Sequence, residues 1–146
     1  YVLGGDGYEQ EIASAIFDKR PVGIKTVGDK AVTITDVTGS ERVVNYSPAP
    51  RVGITVKAKI KTTTSFPDDG IVLVQQNIAN YINGLGIGNS LVLSSIYGHI
   101  YGVVGVAEVT ILQLSTDGGN TYSTENVSVP AYGVAVCANV HVEVVA

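Results

Sequence analysis

The segment from Arg51 to Thr64, RVGITVKAKIKTTT, alternates between apolar and polar residues, and this pattern constrains the fold more than any other. Its apolar positions are Ile54, Val56, Ala58 and Ile60, and the positions between them are Thr55, Lys57, Lys59 and Lys61. Successive side chains of a β-strand point to opposite faces of the sheet. The pattern therefore predicts a strand with one buried face and one face that carries these lysines, which we call the lysine stripe.

Two interpretations of the lysine stripe follow from the sequence. In the first, the lysines form a solvated face that also discourages edge-to-edge pairing with other sheets. In the second, they contact an acidic partner. The pattern favours the solvated face, but Lys57, Lys59 and Lys61 are retained as candidate protein-contact residues.

Two consecutive helices are predicted after this strand. Asp68 or Asp69 is the expected N-cap of the first helix, and Asn89 or Ser90 that of the second. The apolar stripe of the first helix is formed by Ile71, Val74, Ile78, Ile82 and Leu85. The apolar face of the second is formed by Val92, Ile96 and Ile100, with Tyr97 and Tyr101 beside it to complete the core. This spacing predicts that each helix packs one face against the core.

The glycines between these helices, in the sequence YINGLGIGNS, pose the question of phosphate binding. Gly84, Gly86 and Gly88 have the spacing G-x-G-x-G and follow a helix, whereas a dinucleotide-binding loop has G-x-G-x-x-G and follows a strand. No lysine occurs after Lys61, so the lysine of a Walker loop is absent as well. We expect a purely structural role, in which Gly84 adopts the left-handed conformation that ends the first helix and the other two reverse the chain.

The first fifty residues are predicted to form a helix and a β-hairpin. The helix is expected over residues 6 to 18, with Asp6 as N-cap and Glu9 completing a capping box. Its apolar face consists of Ile12, Ala13, Ile16 and Phe17. Two alternating runs then flank a turn around Gly39, which predicts the hairpin. The prolines of SPAPR, residues 47–51, interrupt any strand and place a domain boundary there.

The remaining segments predict further strands, and together these elements define the fold class. VVGVAEVTILQLS has strand pattern, STDGGNTY is a turn, and Val140, Val142 and Val144 alternate with His141 and Glu143 near the C-terminus. We predict an α+β protein with residues 1–50 as a helix and hairpin. Residues 51–146 are predicted as a two-layer domain of largely antiparallel strands packed on two consecutive helices.

Composition excludes several classes of function. Apolar residues make up 45% of the chain and charged residues 15%, with a net charge of −4, which argues against a nucleic-acid-binding protein. The low charge hints that some surface is covered by neighbours. No apolar stretch approaches the length of about 20 residues that crosses a bilayer. Cys137 is the only cysteine, so an internal disulfide and a four-thiolate zinc site are excluded. The absence of methionine indicates a processed product or a fragment.

No catalytic, cofactor-binding or metal-binding residues are predicted. Ser95 and His99 are four residues apart on one predicted helix, but no nucleophile-elbow motif supports a catalytic triad. His99 and His141 lack the spacing of metal ligands. Asp117 begins a tight turn of a kind that is commoner than a calcium loop.

Several motifs, taken in order, resemble a known family. The run EIASAIFDKRPVGIKTVGDKAVTITD resembles the segment of baseplate J-like phage tail proteins that leads into their C-terminal domain. VKAKIK, FPDDG, YINGLGIG, IYGHIYGVVGV and LSTDGG are similar to that C-terminal domain in the same order. The resemblance covers about residues 8 to 146, and it depends on the order of the motifs because each is built of common residues.

The resemblance implies a structural protein of contractile phage tails or related tailocins, without catalytic residues or cofactors. The expected partners are other baseplate wedge and hub proteins, and copies of the chain itself in a sixfold ring around the tail hub. No nucleic acid or membrane insertion is expected. The expected location is the tail baseplate of the virion, after assembly in the cytoplasm of the bacterial host.

Three regions are candidate protein contacts under this hypothesis. They are the lysine stripe, the turn formed by Asp117, Gly118, Gly119 and Asn120, and the hairpin tip with Thr38, Gly39 and Ser40. The alternatives are a tail-associated hydrolase that uses Ser95 and His99, another glycan-cleaving activity of the tail, and a glycan-binding module that uses the tyrosines.

Overall fold

The structure is a computed structural model, in which residues 1–145 are described. The chain divides into two compact units, Tyr1–Ala49 and the part that begins at Pro50. We refer to them as unit 1 and unit 2. The division lies between Ala49 and Pro50, within the proline-containing segment, and residue 146 lies outside the described residues.

Unit 1 consists of a helix packed on a two-stranded antiparallel hairpin. Its elements are α1 (Glu9–Lys19), β1 (Lys30–Thr35) and β2 (Glu41–Tyr46). The buried core is formed by Ala13 of α1 and by Val32, Ile34, Val44 and Tyr46 of the hairpin. Ile12, Ile16 and Phe17 pack against this core, which confirms the predicted apolar face of α1.

The start of α1 differs from the prediction, because the helix begins at Glu9 and Asp6 is not its N-cap. Tyr8 occupies the N-cap position and makes no side-chain capping bond. The backbone N–H of Gly7 donates instead to Glu9 Oε1 at 3.3 Å. Lys30 Nζ donates to the same oxygen at 2.8 Å, and this bond lowers the pKa of the Glu9 carboxyl to about 2.

Unit 2 contains the remaining elements, β3 (Arg51–Thr62), α2 (Gly70–Asn83), α3 (Leu93–Tyr101), β4 (Val106–Ser115) and β5 (Val134–Val144). The strand order is β4-β3-β5. β3 runs antiparallel to β4 and parallel to β5, so the sheet is mixed. The predicted α+β class, with a helix and hairpin before a sheet packed on two helices, is confirmed.

The core of unit 2 lies between the sheet and the two helices. On β3 the buried side chains are Ile54, Val56, Ala58 and Ile60, none more than 1% exposed. On the helices they are Val74, Ile78 and Ile82 of α2 and Ile96 and Ile100 of α3. The alternating pattern of the sequence thus identifies the covered face of β3, because the side chains opposite the lysine stripe form the core.

The glycines between α2 and α3 act as structural residues, with one difference from the prediction. Gly84 has φ −85°, so its backbone is not left-handed. It is the C-cap of α2, and its N–H donates to the Asn80 carbonyl at 3.0 Å, as in the helix. Gly86 and Gly88 have φ 77° and 78° and reverse the chain. A Cβ on Gly88 would lie 2.8 Å from the carbonyl oxygen of Ala131, so this glycine also permits a close approach to the loop before β5.

The N-termini of α2 and α3 also differ from the predictions. Asp69 occupies the N-cap position of α2, but its side chain makes no capping bond. α3 begins at Leu93 with Val92 as N-cap, so neither Asn89 nor Ser90 caps it. Val92 is 40% exposed and does not join the buried face.

Tyr97 and Tyr101 of α3 were both predicted to complete the core, and the prediction is correct for only one of them. Tyr97 packs against the core, whereas Tyr101 is exposed. The hydroxyl of Tyr101 accepts a hydrogen bond from the backbone N–H of Val109 on β4 at 3.2 Å. Tyr101 therefore fixes the end of α3 to the edge of the sheet.

Candidate functional site

The lysine stripe lies on the central strand of the sheet, on the face opposite the helices. We call this the open face. Because β3 is hydrogen-bonded to β4 on one side and to β5 on the other, it is not an edge strand. The interpretation that the lysines prevent edge-to-edge pairing is therefore wrong. Thr55 belongs to the open face but is buried, since the turn after β4 covers it, with the Cβ position of Gly119 3.8 Å from Thr55 Cγ2.

Two lysines of the stripe are paired with glutamates of the neighbouring strands. Lys59 Nζ lies 2.8 Å from Glu143 Oε2 on β5, and Lys61 Nζ lies 3.2 Å from Glu108 Oε2 on β4. Exposed pairs of this kind contribute about 0–1 kcal/mol to stability. Their main consequence is electrostatic, because each glutamate cancels the charge that its lysine would offer to a partner.

Lys57 is in a different environment. Its ammonium group lies 5.5 Å from the ring centroid of Tyr122, within the range of a cation–π contact. Its neighbours across the strands are Gln113 on β4 and His141 on β5. Within residues 1–145 no carboxylate lies within ion-pair distance of Lys57. Lys57 is therefore the stripe lysine whose charge remains available.

The turn at Asp117 is held together by its own carboxylate. This carboxylate accepts hydrogen bonds from the Ser115 hydroxyl at 2.6 Å and from the backbone N–H groups of Asn120 and Thr121, both at 3.0 Å. These bonds hold the pKa of Asp117 well below its usual range. Gly118 and Gly119 have φ 78° and 96°, as the turn requires. Asp117 thus has a structural role, while the turn remains exposed at Asn120.

The hairpin tip of unit 1 is built in the same way. The Asp36 carboxylate accepts from the backbone N–H groups of Thr38 and Ser40 at 2.9 and 3.0 Å and from Arg42 Nε at 2.9 Å. The Thr38 hydroxyl also donates to this carboxylate, and this bond, followed by those from Arg42 and the Ser40 N–H, keeps the pKa of Asp36 well below its usual range. Thr38, Gly39 and Ser40 are exposed and held in a fixed shape.

The segment from Gly70 to Ala107 contains no Lys, Arg, Asp or Glu, although it includes both helices of unit 2. Its exposed apolar side chains include Val72 (49% exposed), Leu73 (36%), Tyr101 (49%) and Val104 (71%). Gly70 and Gly105 both pack against Phe66, so the start of α2 and the turn after α3 lie at one end of the helical layer. We call these four side chains the helix-end patch. The apolar stripes predicted from the sequence did not identify this patch. The absence of charged residues from the segment is the signal that marks the patch.

Two carboxylates lie beside the helix-end patch. Asp68 and Asp69 immediately precede α2 and are exposed. Within residues 1–145 neither side chain has a hydrogen bond or an ion pair. Unpaired carboxylates thus lie just before α2, the helix that carries Val72 and Leu73 of the patch.

The pair on which a hydrolase would depend is not formed. The ring of His99 stacks on Tyr81 with the ring centroids 4.3 Å apart, and no hydrogen bond joins it to Ser95 within residues 1–145. In the same part of the chain, no group of three His, Cys, Asp or Glu side chains is arranged to hold a metal ion. Cys137 is partly buried, and burial raises the pKa of its thiol.

Comparisons with known proteins leave the family of this chain open. No model of a protein family matches the sequence, and a search of curated proteins finds no match either. Among the described residues, no helix is long and apolar enough to cross a membrane.

Proposed function

We propose that this chain is a structural assembly protein of a contractile phage tail or tailocin baseplate. In this role it docks to neighbouring wedge proteins in the ring around the tail hub. The proposal begins from the ordered motifs that resemble baseplate J-like proteins. The observation that carries it on the molecule is the helix-end patch, because its exposed apolar side chains lie in a long segment without charge.

This surface supports an assembly function for a physical reason. The buried centres of protein–protein interfaces are depleted of charged residues and enriched in aromatic residues, and their rims are polar. The helix-end patch contains the exposed aromatic residue Tyr101 and the exposed Val104, and the exposed Asp68 and Asp69 precede α2. Covering it removes apolar area from water at about 25 cal/mol per Å², without the cost of burying a charge.

The proposed partners are other wedge and hub proteins and copies of the chain in a sixfold assembly. No cofactor, nucleic acid or membrane insertion belongs to the proposal. The proposed location is the tail baseplate of the virion, after assembly in the host cytoplasm. The Asp117 turn and the hairpin tip, both exposed and rigid, are further candidate contacts beside the lysine stripe.

The experiment that tests the proposal is the purification of intact tails from the source phage or prophage, followed by peptide mass spectrometry. We expect peptides of this chain in a fixed ratio to known baseplate proteins, and density for both units in an electron microscopy map of the baseplate. A lysate from which tails have been removed is the control. Absence of the chain from purified tails that contain the other baseplate proteins would overturn the proposal.

A further inference from the structure

The open face of unit 2 carries a cross-strand row of nitrogen donors. Lys57 on the central strand is paired in register with Gln113 on β4 and with His141 on β5. Side chains paired in this way lie on the same face of a sheet, and neighbouring strands are about 4.8 Å apart. The register thus places an ammonium group between a carboxamide and an imidazole. We call these three side chains the donor row.

A contact between His141 and Asn139 decides which nitrogen of the imidazole can donate. Asn139 Oδ1 accepts a hydrogen bond from the backbone N–H of Val140 at 2.8 Å, so the amide nitrogen is the atom that lies 3.2 Å from His141 Nε2. An amide nitrogen only donates, and Nε2 therefore accepts this bond. A neutral imidazole whose Nε2 accepts carries its proton on Nδ1. His141 Nδ1 is thus a donor, and it has no partner within the described part of the chain.

The carboxylates next to the donor row are already engaged. Glu143 follows His141 on the open face of β5 and is paired with Lys59 at 2.8 Å. Asp117, in the turn after β4, accepts its hydrogen bonds from within that turn. Neither group neutralises Lys57, which has no carboxylate within ion-pair distance in residues 1–145.

Lys57 is also partly withdrawn from water. The residue is half-buried, and its ammonium group lies 5.5 Å from the ring centroid of Tyr122. Part of the hydration shell of the ammonium is therefore already replaced by the ring. A cation in such a place attracts an anion more strongly than a fully hydrated cation does, because the effective dielectric constant is lower.

We propose that the donor row binds an oxyanion, which is the phosphate or carboxylate group of a small ligand. Lys57 supplies the positive charge, and Gln113 and His141 Nδ1 donate hydrogen bonds on either side of it. Ionised phosphate and carboxylate oxygens accept hydrogen bonds, so a row of donors around one cation suits them. Binding here breaks no ion pair of the sheet, whereas binding at Lys59 or Lys61 would.

An oxyanion site on the open face goes beyond a role in tail assembly. None of its residues belongs to the helix-end patch, and the isolated chain is sufficient to test it. The proposed function does not need this site, and the site does not need the proposed function.

The test is NMR titration of the full chain with sodium phosphate and, separately, with sodium acetate. Both anions are added up to about 50 mM at constant ionic strength, because salt screens exposed charges. We expect saturable shifts of the side-chain amide signals of Gln113 and Asn139 and of the ring signals of His141. The expected dissociation constant is on the order of 1 mM, since an open site makes one charge-assisted and two neutral hydrogen bonds. The anion that binds more tightly identifies the preferred group.

Variants of the donor row give the expected size of each contribution. Lys57→Gln removes the only charge of the row and should weaken phosphate binding at least tenfold. Lys57→Arg keeps the charge and should bind within about threefold of the wild type. His141→Phe removes the Nδ1 donor and should weaken binding by about twofold to tenfold, the range for one hydrogen bond.

Two control variants separate the donor row from the general charge of the chain. Lys25→Gln removes an exposed positive charge of unit 1. Lys59→Gln combined with Glu143→Gln removes the adjacent ion pair without changing the net charge. Both controls should bind phosphate as the wild type does. Circular dichroism checks that every variant is folded.

Three results would overturn the inference. They are shifts that grow linearly without saturation, saturable shifts that map away from the donor row, and equal affinity of Lys57→Gln and the wild type. None of them bears on the proposed function, which is decided by the presence of the chain in purified tails.

Discussion

The side-chain oxygen of Asn126 accepts a hydrogen bond from the backbone N–H of Leu93 at 2.9 Å, and it thereby caps the first turn of α3. The two residues are 33 positions apart in the chain. The same loop is tied to the segment before α3 by two bonds of 2.9 Å, exchanged between the backbones of Leu91 and Val127. The long connection between β4 and β5 therefore supplies the cap that the residues before α3 do not.

Asn126→Ala is expected to destabilise unit 2 by about 1 kcal/mol, the usual cost of losing an N-cap side chain. The measurement is the free energy of unfolding from urea titration. Asn89→Ala is the matched control, since Asn89 was one of the two caps expected from the sequence, with Ser90, and within residues 1–145 its side chain bonds only the carbonyl oxygen of Leu85. A larger loss from Asn89→Ala than from Asn126→Ala would contradict the structural assignment.

Patterns of local periodicity predicted the type and order of the main elements, although not the first residues of α1 and α3, whereas contacts between distant residues were not predictable. The strand pattern of β3, the apolar stripe of α2 and the hairpin around Gly39 depend on spacing within a few residues, and the structure confirms each. The cap from Asn126 and the parallel pairing of β5 with β3 depend on where a long loop returns. Nothing in the local sequence specifies that return.

The same distinction between local spacing and distant contacts applies to the candidate surfaces. The alternation of β3 placed the lysines on one face, but it did not identify the glutamates that neutralise Lys59 and Lys61, because these lie on other strands. The helix-end patch was visible in the sequence only as a lack of charge. That the start of α2 and the turn after α3 lie at one end depends on the contact between Phe66 and Gly105, which are 39 positions apart in the chain.

Gly88→Ala is expected to destabilise the protein by about 1–3 kcal/mol, because the residue has a left-handed conformation that alanine adopts with strain. The added Cβ would also lie 2.8 Å from the Ala131 carbonyl oxygen, so the loop before β5 has to move. The N–H of Gly88 donates to the Gly133 carbonyl at 2.8 Å, and this bond is then weakened as well. The measurement is the midpoint and slope of urea unfolding.

Gly98→Ala provides a control for Gly88→Ala within α3. A Cβ on Gly98 meets open space, and its φ is not positive. Because alanine is a better helix former than glycine, this variant should be more stable than the wild type by about 0.5–1 kcal/mol. Equal effects at the two positions would show that the close approach of Gly88 to Ala131 is not formed.

Asp117→Asn is expected to lower the melting temperature at neutral pH, by an amount that shrinks as the solution is acidified. The pKa of the Asp117 carboxyl in the folded chain lies below its ordinary value of 3.8, because Ser115, Thr121 and Asn120 donate to it. A carboxyl whose pKa is depressed on folding stabilises the protein above its unfolded pKa, and this stability is lost as the pH falls towards the folded pKa. The difference between wild type and variant should therefore be constant above about pH 5 and decline below about pH 4.

Asp68→Asn is the control for the pH experiment. It removes the same charge, but within residues 1–145 the Asp68 side chain has no hydrogen bond to lose. Its melting temperature should stay near that of the wild type across the titration. A difference between Asp117→Asn and wild type that persists unchanged at pH 2–3 would mean that the carboxylate does not hold the turn.

Substitutions at two neighbouring positions of β3 test the assignment of one face of this strand to the core and the other face to solvent. Ile60 is fully buried in the core, so Ile60→Ala is expected to cost about 2–5 kcal/mol through lost burial and a residual cavity. Lys59 is adjacent but points to the open face, where it pairs with Glu143, so Lys59→Ala should cost less than about 1 kcal/mol. Urea unfolding of both variants gives the comparison, and Glu143→Ala with the double variant isolates the ion pair. Similar losses at positions 59 and 60 would contradict the assignment of one face to the core and the other to solvent, because alternation along the strand is what separates them.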